Sequence, residues 1–198
     1  LNYFLTLKNS PVLNKYNFTF NNNKLTLINN DKELISISTN DPEQTSLLCD
    51  KFIEMESSLI KPTFLLNNGD FPFFDTSNSN KVLNSLSLIN LNSIKDFEKK
   101  INQKVEFQRF RANFYVDGID AWEERKWINK IIKINNVCFK VKKNIPRCVA
   151  INLQPKTDKI TTNLLQLLKK NFDHFDMGIY LDALDDGKID VGNNVEFN

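Results

Sequence analysis

A chain of 198 residues suits one domain, or one domain with an appended lobe, and at 41% hydrophobic it can bury a core. Lys and Arg number 26 against 24 Asp and Glu, a net charge of +2 that argues against a general nucleic-acid binder. No apolar run approaches the ~18 residues of a membrane span, no secretory leader is visible, and five glycines are too few for a glycine-rich phosphate loop.

Three cysteines, Cys49, Cys138 and Cys148, are odd in number and widely spaced without a C-x-x-C pair. That is neither a disulfide framework nor a zinc site, so free thiols in a reducing compartment, the cytoplasm, are expected. The chain opens on Leu1 inside a strand-like pattern, so its natural N-terminus is expected to lie upstream.

In chain order, "YFLTLK" (3–8), "YNFTF" (16–20), "KLTLIN" (24–29) and "ELISIS" (33–38) alternate with period two between Asn and Asp turns, a β meander. "TSLLCDKF" (45–52) is ambiguous, "PTFLL" (62–66) predicts a short strand, and 67–84 predicts a long polar loop with an aromatic centre. "SLSLINL" (85–91) reads as a strand, followed by a helix over 93–101 capped by Asn92 or Ser93, with Ile94, Phe97 and Ile101 on one face. "FQRFRANFYVDG" (107–118) predicts a bent strand or strand pair, and "AWEERKWI" (121–128) a short helical turn. Residues 130–143 predict a hairpin turning at Asn135-Asn136, with "KVKKN" (140–144) as a solvated strand edge. "RCVAINL" (147–153) predicts another strand and 161–172 an amphipathic helix capped by Thr161 or Thr162. Residues 178–197 predict a hairpin with Asp-Asp-Gly in its turn. Many short strands with two or three helices make a mainly β, α+β fold of barrel type behind an N-terminal meander lobe.

Strand alternation in "QRFRANF" would put Arg109, Arg111 and Asn113 on one face. Two guanidinium forks suit a phosphate or another planar anion; an ordinary polar strand face is the plainer alternative. Cys148 follows Arg147, and a neighbouring cation favours the thiolate that binds soft metals, although strand geometry would point the two apart. A buried, inert cysteine is the alternative there. Cys138, in "VCFKV", reads as core. His174 is the only histidine, too few for a zinc hydrolase site, and reads as a surface or helix-terminal residue.

From about residue 70 onward the chain resembles the MOSC domain, the C-terminal domain of molybdenum cofactor sulfurases. It is most similar to the branch of the mitochondrial amidoxime-reducing component and its bacterial relatives. "FFD" (73–75), "SLINLNSIKDFE" (87–98), "RFRANFYVDG" (109–118), "AWEERKW" (121–127), "IPRCVAINLQPKT" (145–157) and "MGIYLDALDDGKIDVGNNVEF" (177–197) stand in the family's order and spacing. Residues 1–66 then resemble the family's N-terminal β region with its opening cut away, and 67–198 its β-barrel.

The resemblance implies a molybdenum–molybdopterin cofactor, with Cys148 as the metal ligand and catalytic residue. It implies that Asp75, Arg109, Arg111, Asn113, Arg147 and Tyr180 surround the pterin and its phosphate. The implied activity is reduction of N-hydroxylated compounds, molybdenum cycling between Mo(IV) and Mo(VI) and taking oxygen from nitrogen. The implied partners are a small-molecule substrate and a separate electron donor of ferredoxin, flavin reductase or cytochrome b5 type, because no iron–sulfur cysteine set follows the barrel. A carrier of the cofactor, or of sulfur as a Cys148 persulfide, is the alternative function, and a purely structural barrel a third. Pyridoxal phosphate binding is a further expectation attached to the family. The chain departs from the pattern at Ile151-Asn152-Leu153-Gln154, where Thr-Thr-x-Asp is usual, and at Gly192-Asn193-Asn194-Val195, where G-D-x-V is usual. The family's Tyr-Pro-Val-Lys-Ser element has no counterpart in these residues.

Overall fold

The computed structural model describes residues 6–56 and 85–197. The strand expected over 62–66, the loop over 67–84 and Asp75 lie outside the described residues, as does the expected domain boundary at 66/67. The chain divides into two compact units, one holding residues 6–56 and 153–161, the other 85–152 and 162–197 among those described.

In the first unit, β1 (Tyr16–Asn21), β2 (Lys24–Asn29) and β3 (Lys32–Ser38) form the expected antiparallel meander. Its turns, Asn22-Asn23 and Asn30-Asp31, each hold two consecutive residues at positive φ. That matches the twist of paired strands, and Asn and Asp tolerate it best after glycine. Residues 7–9 form a turn although a first strand is expected to run to residue 8, and Pro11–Lys15 is a 3-10 helix. The ambiguous segment is α1 (Pro42–Met55). Asp41 caps it by accepting the Glu43 and Gln44 N–H groups at 3.0 and 3.3 Å, and Pro42 fits the first turn, where no N–H is needed. Leu48 and Phe52 pack against Leu27 and Ile37 of the sheet. Asn14 Nδ2 holds the 153–161 segment by donating to the Gln154 and Thr157 carbonyls at 2.9 and 2.7 Å.

The second unit is built on a six-stranded sheet in the order β5-β4-β8-β7-β6-β9, a nearly closed barrel. Its strands are β4 (Leu86–Asn90), β5 (Phe114–Val116), β6 (Ile131–Ile134), β7 (Val137–Pro146), β8 (Asp176–Ala183) and β9 (Val195–Phe197). Only β4 and β5 run parallel. The predicted 178–197 hairpin does not form: β9 pairs with β6, and β8 lies between β4 and β7. β7 therefore has neighbours on both sides, and its lysines face solvent from an interior strand rather than an edge. The β6–β7 hairpin turns at Asn135-Asn136 as expected.

Two apolar clusters lie on opposite faces of this sheet. Leu88, Ile132, Phe139, Val141, Ile179 and Leu181 fill the barrel with Trp127. Ile89, Phe97, Phe110, Leu164, Leu168 and Met177 pack with α2 (Leu91–Ile101) and α3 (Leu164–Phe172). The caps fall elsewhere than expected, earlier for α2 and later for α3. Asn90 caps α2 and Asn163 caps α3, because a cap side chain must reach a backbone N–H two or three residues on, and theirs do. Gly178, at φ +81°, switches β8 between the clusters: Met177 joins the helical side and Ile179 the barrel side, although an undistorted strand would align them.

Candidate functional site

Cys148 follows the end of β7, and its residue is exposed. The strand predicted over 147–153 is a 3-10 turn over Val149–Asn152. Pro146 ends the strand pairing, and the Ile151 N–H donates back to the Cys148 carbonyl at 3.2 Å. The thiol therefore sits at a strand-to-turn corner, where strand alternation no longer governs direction.

Arg147 beside it is half-buried, and its donors are fixed on backbone. Nη1 donates to the Phe110 carbonyl at 2.7 Å and Nε to the Met177 carbonyl at 2.8 Å, an oxygen that Nη2 also reaches. Burial presses its pKa down to about 10, which leaves it protonated at neutral pH. Tyr180, Tyr115, Cys148 and Asp176 lie within its electrostatic reach. Tyr180, in mid-β8, has its own pKa raised by burial, opposed by Arg147 and reinforced by Cys148.

Gly178 makes this arrangement possible. A Cβ there would stand 2.4 Å from the Leu88 carbonyl oxygen, 2.7 Å from Ile89 Cγ1 and 3.3 Å from Arg147 Nη2. Only hydrogen fits, and the positive φ is one that side chains disfavour.

Residues 107–113 do not form the predicted strand face. Phe107–Phe110 is a 3-10 turn, Arg111 takes the left-handed conformation at φ 48°, and β5 starts only at Phe114. Arg109 and Arg111 are consequently separated. Arg109 is buried, its Nε paired with Glu106 Oε2 at 2.7 Å and its Nη1 donating to the Asn152 carbonyl at 3.0 Å. Arg111 is exposed, and no hydrogen bond or ion pair joins its side chain to another described residue. The Arg147-bound carbonyl of Phe110 belongs to the peptide just before it.

Asn113 is also exposed. Its Oδ1 accepts from the Ser87 N–H and Oγ at 2.9 and 2.8 Å, which leaves its NH₂ donors unused among the described residues. Ser87 pairs with Tyr180, and Tyr180 with Lys143 of β7, so Asn113, Ser87, Tyr180 and Lys143 run across neighbouring strands. The structure thus brings together Cys148, Arg147 and Tyr180. It attaches Arg111 through Phe110 and Asn113 through Ser87, and turns Arg109 away.

A family model for the MOSC domain matches residues 76–196, more than half of the chain. The chain belongs to the MOSC domain family. Its mainly β architecture is that of a MOSC fold, which ties this domain to molybdenum-cofactor biology. The residues present fit such a group: Cys148 offers a soft, exposed thiol for a metal, and the Arg111 guanidinium and Asn113 amide offer an anion donors that no described residue takes. Among the described residues no group of three or more His, Cys, Asp or Glu gathers to hold a metal.

One further expectation changes in this MOSC domain and another is met. Cys138 is not core: it stands on the outer face of β7, where hydrogen bonding to Asp185 pushes its thiol pKa up. His174 follows the C-cap of α3, as expected of a helix-terminal residue; it is half-buried against Trp122 and Phe172, and its Nδ1 accepts the Asp176 N–H at 3.1 Å. The pyridoxal phosphate expectation has no support, since no described lysine is buried and a Schiff-base lysine needs a desolvated or cationic setting. Gly178, Ser87 and Tyr115 escaped the sequence reading. Gly178 carried a visible signal, a glycine early in a strand pattern, which marks a close backbone approach.

Proposed function

We propose that this domain binds a molybdenum–molybdopterin cofactor through Cys148 and belongs to the amidoxime-reducing branch, reducing N-hydroxylated compounds. The observation that supports it best is the exposed thiol beside a protonated guanidinium anchored on the Phe110 carbonyl, whose peptide leads into an Arg111 side chain with no partner among the described residues. Cys148 holds the metal as a thiolate, while Arg111 and the Asn113 amide hold the phosphate and pterin. Tyr180 lines the same face, and Asp75 is proposed for it from the family pattern alone. When bound, the cofactor supplies two-electron chemistry between Mo(IV) and Mo(VI). The protein's part is to fix the metal's thiolate ligand, anchor the anionic end and present an open approach for a small substrate. Electrons come from a separate donor of ferredoxin, flavin reductase or cytochrome b5 type, and the working compartment is the cytoplasm.

The exposure of Cys148 also favours a second reading, a carrier of cofactor or persulfide sulfur, because a partner protein can reach a surface thiol. Metal and pterin analysis of the purified protein, with a benzamidoxime assay using an artificial electron donor, separates the two. Cofactor with benzamidine formation is the expected result. Cofactor without turnover selects the carrier, and neither cofactor nor sulfur on the protein discards both.

A further inference from the structure

We infer that Arg147 is a positioning residue, a single guanidinium clamp holding the two backbone segments that flank Cys148, rather than a fork presented to the cofactor's phosphate. Of its five N–H donors, three are committed to the carbonyls of Phe110 and Met177. Its backbone N–H adds a fourth tie, donating to the Phe175 carbonyl at 2.8 Å. The guanidinium carbon lies 5.8 Å from the centre of the Phe110 ring, so the same group meets that residue by stacking as well. The missing side chain of Gly178 leaves room for Nη2.

Each held carbonyl sets the place of a site residue. The Phe110 peptide leads into Arg111, whose left-handed backbone is unfavourable for a side-chain-bearing residue and persists only where its surroundings fix it. The Met177 carbonyl leads into Gly178 and the register that seats Tyr180 between Ser87 and Lys143. Cys148 is the next residue after the clamp. One side chain therefore fixes Arg111, Tyr180 and Cys148 relative to one another. A lysine cannot substitute, because one ammonium on a flexible stem does not span two carbonyls in a fixed plane. The inference deepens the cofactor reading and rests on it for its consequence, but the clamp itself is measurable in cofactor-free protein.

The test is hydrogen exchange on the intact cofactor-free chain, with molybdenum per chain measured separately after expression with cofactor supply. Arg147→Lys should accelerate exchange across 107–113 and 175–180 by about tenfold or more, with α1 and the meander unchanged. Its molybdenum content should fall severalfold. Arg147→Gln, which keeps an amide donor for one carbonyl, should lie between wild type and Lys in exchange at one segment, and it carries the test if the Lys variant does not fold. Unchanged exchange in both segments overturns the clamp. If molybdenum is nonetheless lost, Arg147 contacts the cofactor directly through its remaining donors and the cofactor reading survives. Faster exchange in protein that never takes up molybdenum, wild type included, upholds the clamp and removes the cofactor reading.

Discussion

Cys148 and Arg111 are exposed side chains on which the proposed chemistry depends, and each can be changed without opening the core. Cys148→Ser replaces a soft donor by a hard one of similar size. Molybdenum per chain should fall to near zero, while the melting temperature moves by no more than the equivalent of ~0.5 kcal/mol, as for other surface changes. Cys138→Ser, on the outer face of β7, should leave molybdenum unchanged. Arg111→Gly separates stability from function. Glycine adopts φ 48° without a steric penalty, so this variant should unfold at the same or higher denaturant concentration, against roughly 0.5–1 kcal/mol lost for glycine within a helix or strand. Its molybdenum or molybdopterin retention should drop. A variant that is destabilised yet keeps its cofactor would remove Arg111 from the anion site. The residue types of the site were legible in the sequence; the separation of Arg109 from Arg111 was not. Period-two alternation assumes an unbroken strand, and a 3-10 turn followed by a left-handed residue cancels it.

At the scale of elements, the start of α2 is tied to the 3-10 turn Glu123–Trp127 by a buried carboxyl. Glu124 is fully buried; its oxygens accept from Asn90 Nδ2 at 3.0 Å and from Ser93 Oγ at 2.8 and 3.0 Å. Burial raises its pKa, with those hydrogen bonds pulling the other way. The folded state therefore holds the proton more tightly than the unfolded state. Stability from this group is present below the ordinary glutamate pKa and is lost as pH rises through the raised folded value. Unfolding midpoints of wild type and Glu124→Gln, compared across pH 4 to 7, should show wild type losing stability relative to the variant as pH rises. A constant difference across that range would mean the Glu124 carboxyl titrates alike in both states. Helix α2 is legible from its apolar face, but its cap lies two or three residues before the expected one, since Asn90, Asn92 and Ser93 are all competent cap residues. Which one caps depends on where β4 ends, and β4 ends where its pairing with β5 stops.

At the scale of the molecule, the near balance of 26 basic and 24 acidic side chains makes the proposed anion site a local feature rather than the focus of a charged surface. Most ion pairs among the described residues join side chains that remain substantially in water, such as Lys95–Asp117, Lys126–Glu123 and Lys188–Asp190. Such pairs contribute little and are screened by salt. Raising ionic strength from about 0.05 to about 0.5 M should therefore change unfolding free energy by less than about 1 kcal/mol. Retention of a bound phosphate-bearing cofactor should weaken over the same range, because Arg111 is exposed. Equal salt sensitivity of folding and of retention would show that the site draws on general charge rather than on fixed donors.

Local patterns along the chain are enough wherever neighbouring residues settle the outcome. Alternation and paired Asn or Asp turns placed the meander and the β6–β7 hairpin, the apolar face placed α2, and six motifs in order pointed to the MOSC barrel. Tertiary structure decided what depends on residues far apart. β9 joins β6 instead of β8 because sheet edges are chosen by which surfaces remain to be covered, not by the turn that follows β8. Residues 147–153 leave the strand because the Arg147 side chain finds the carbonyls of Phe110 and Met177, 37 and 30 positions away. Those hydrogen bonds are long-range, and no local pattern encodes them.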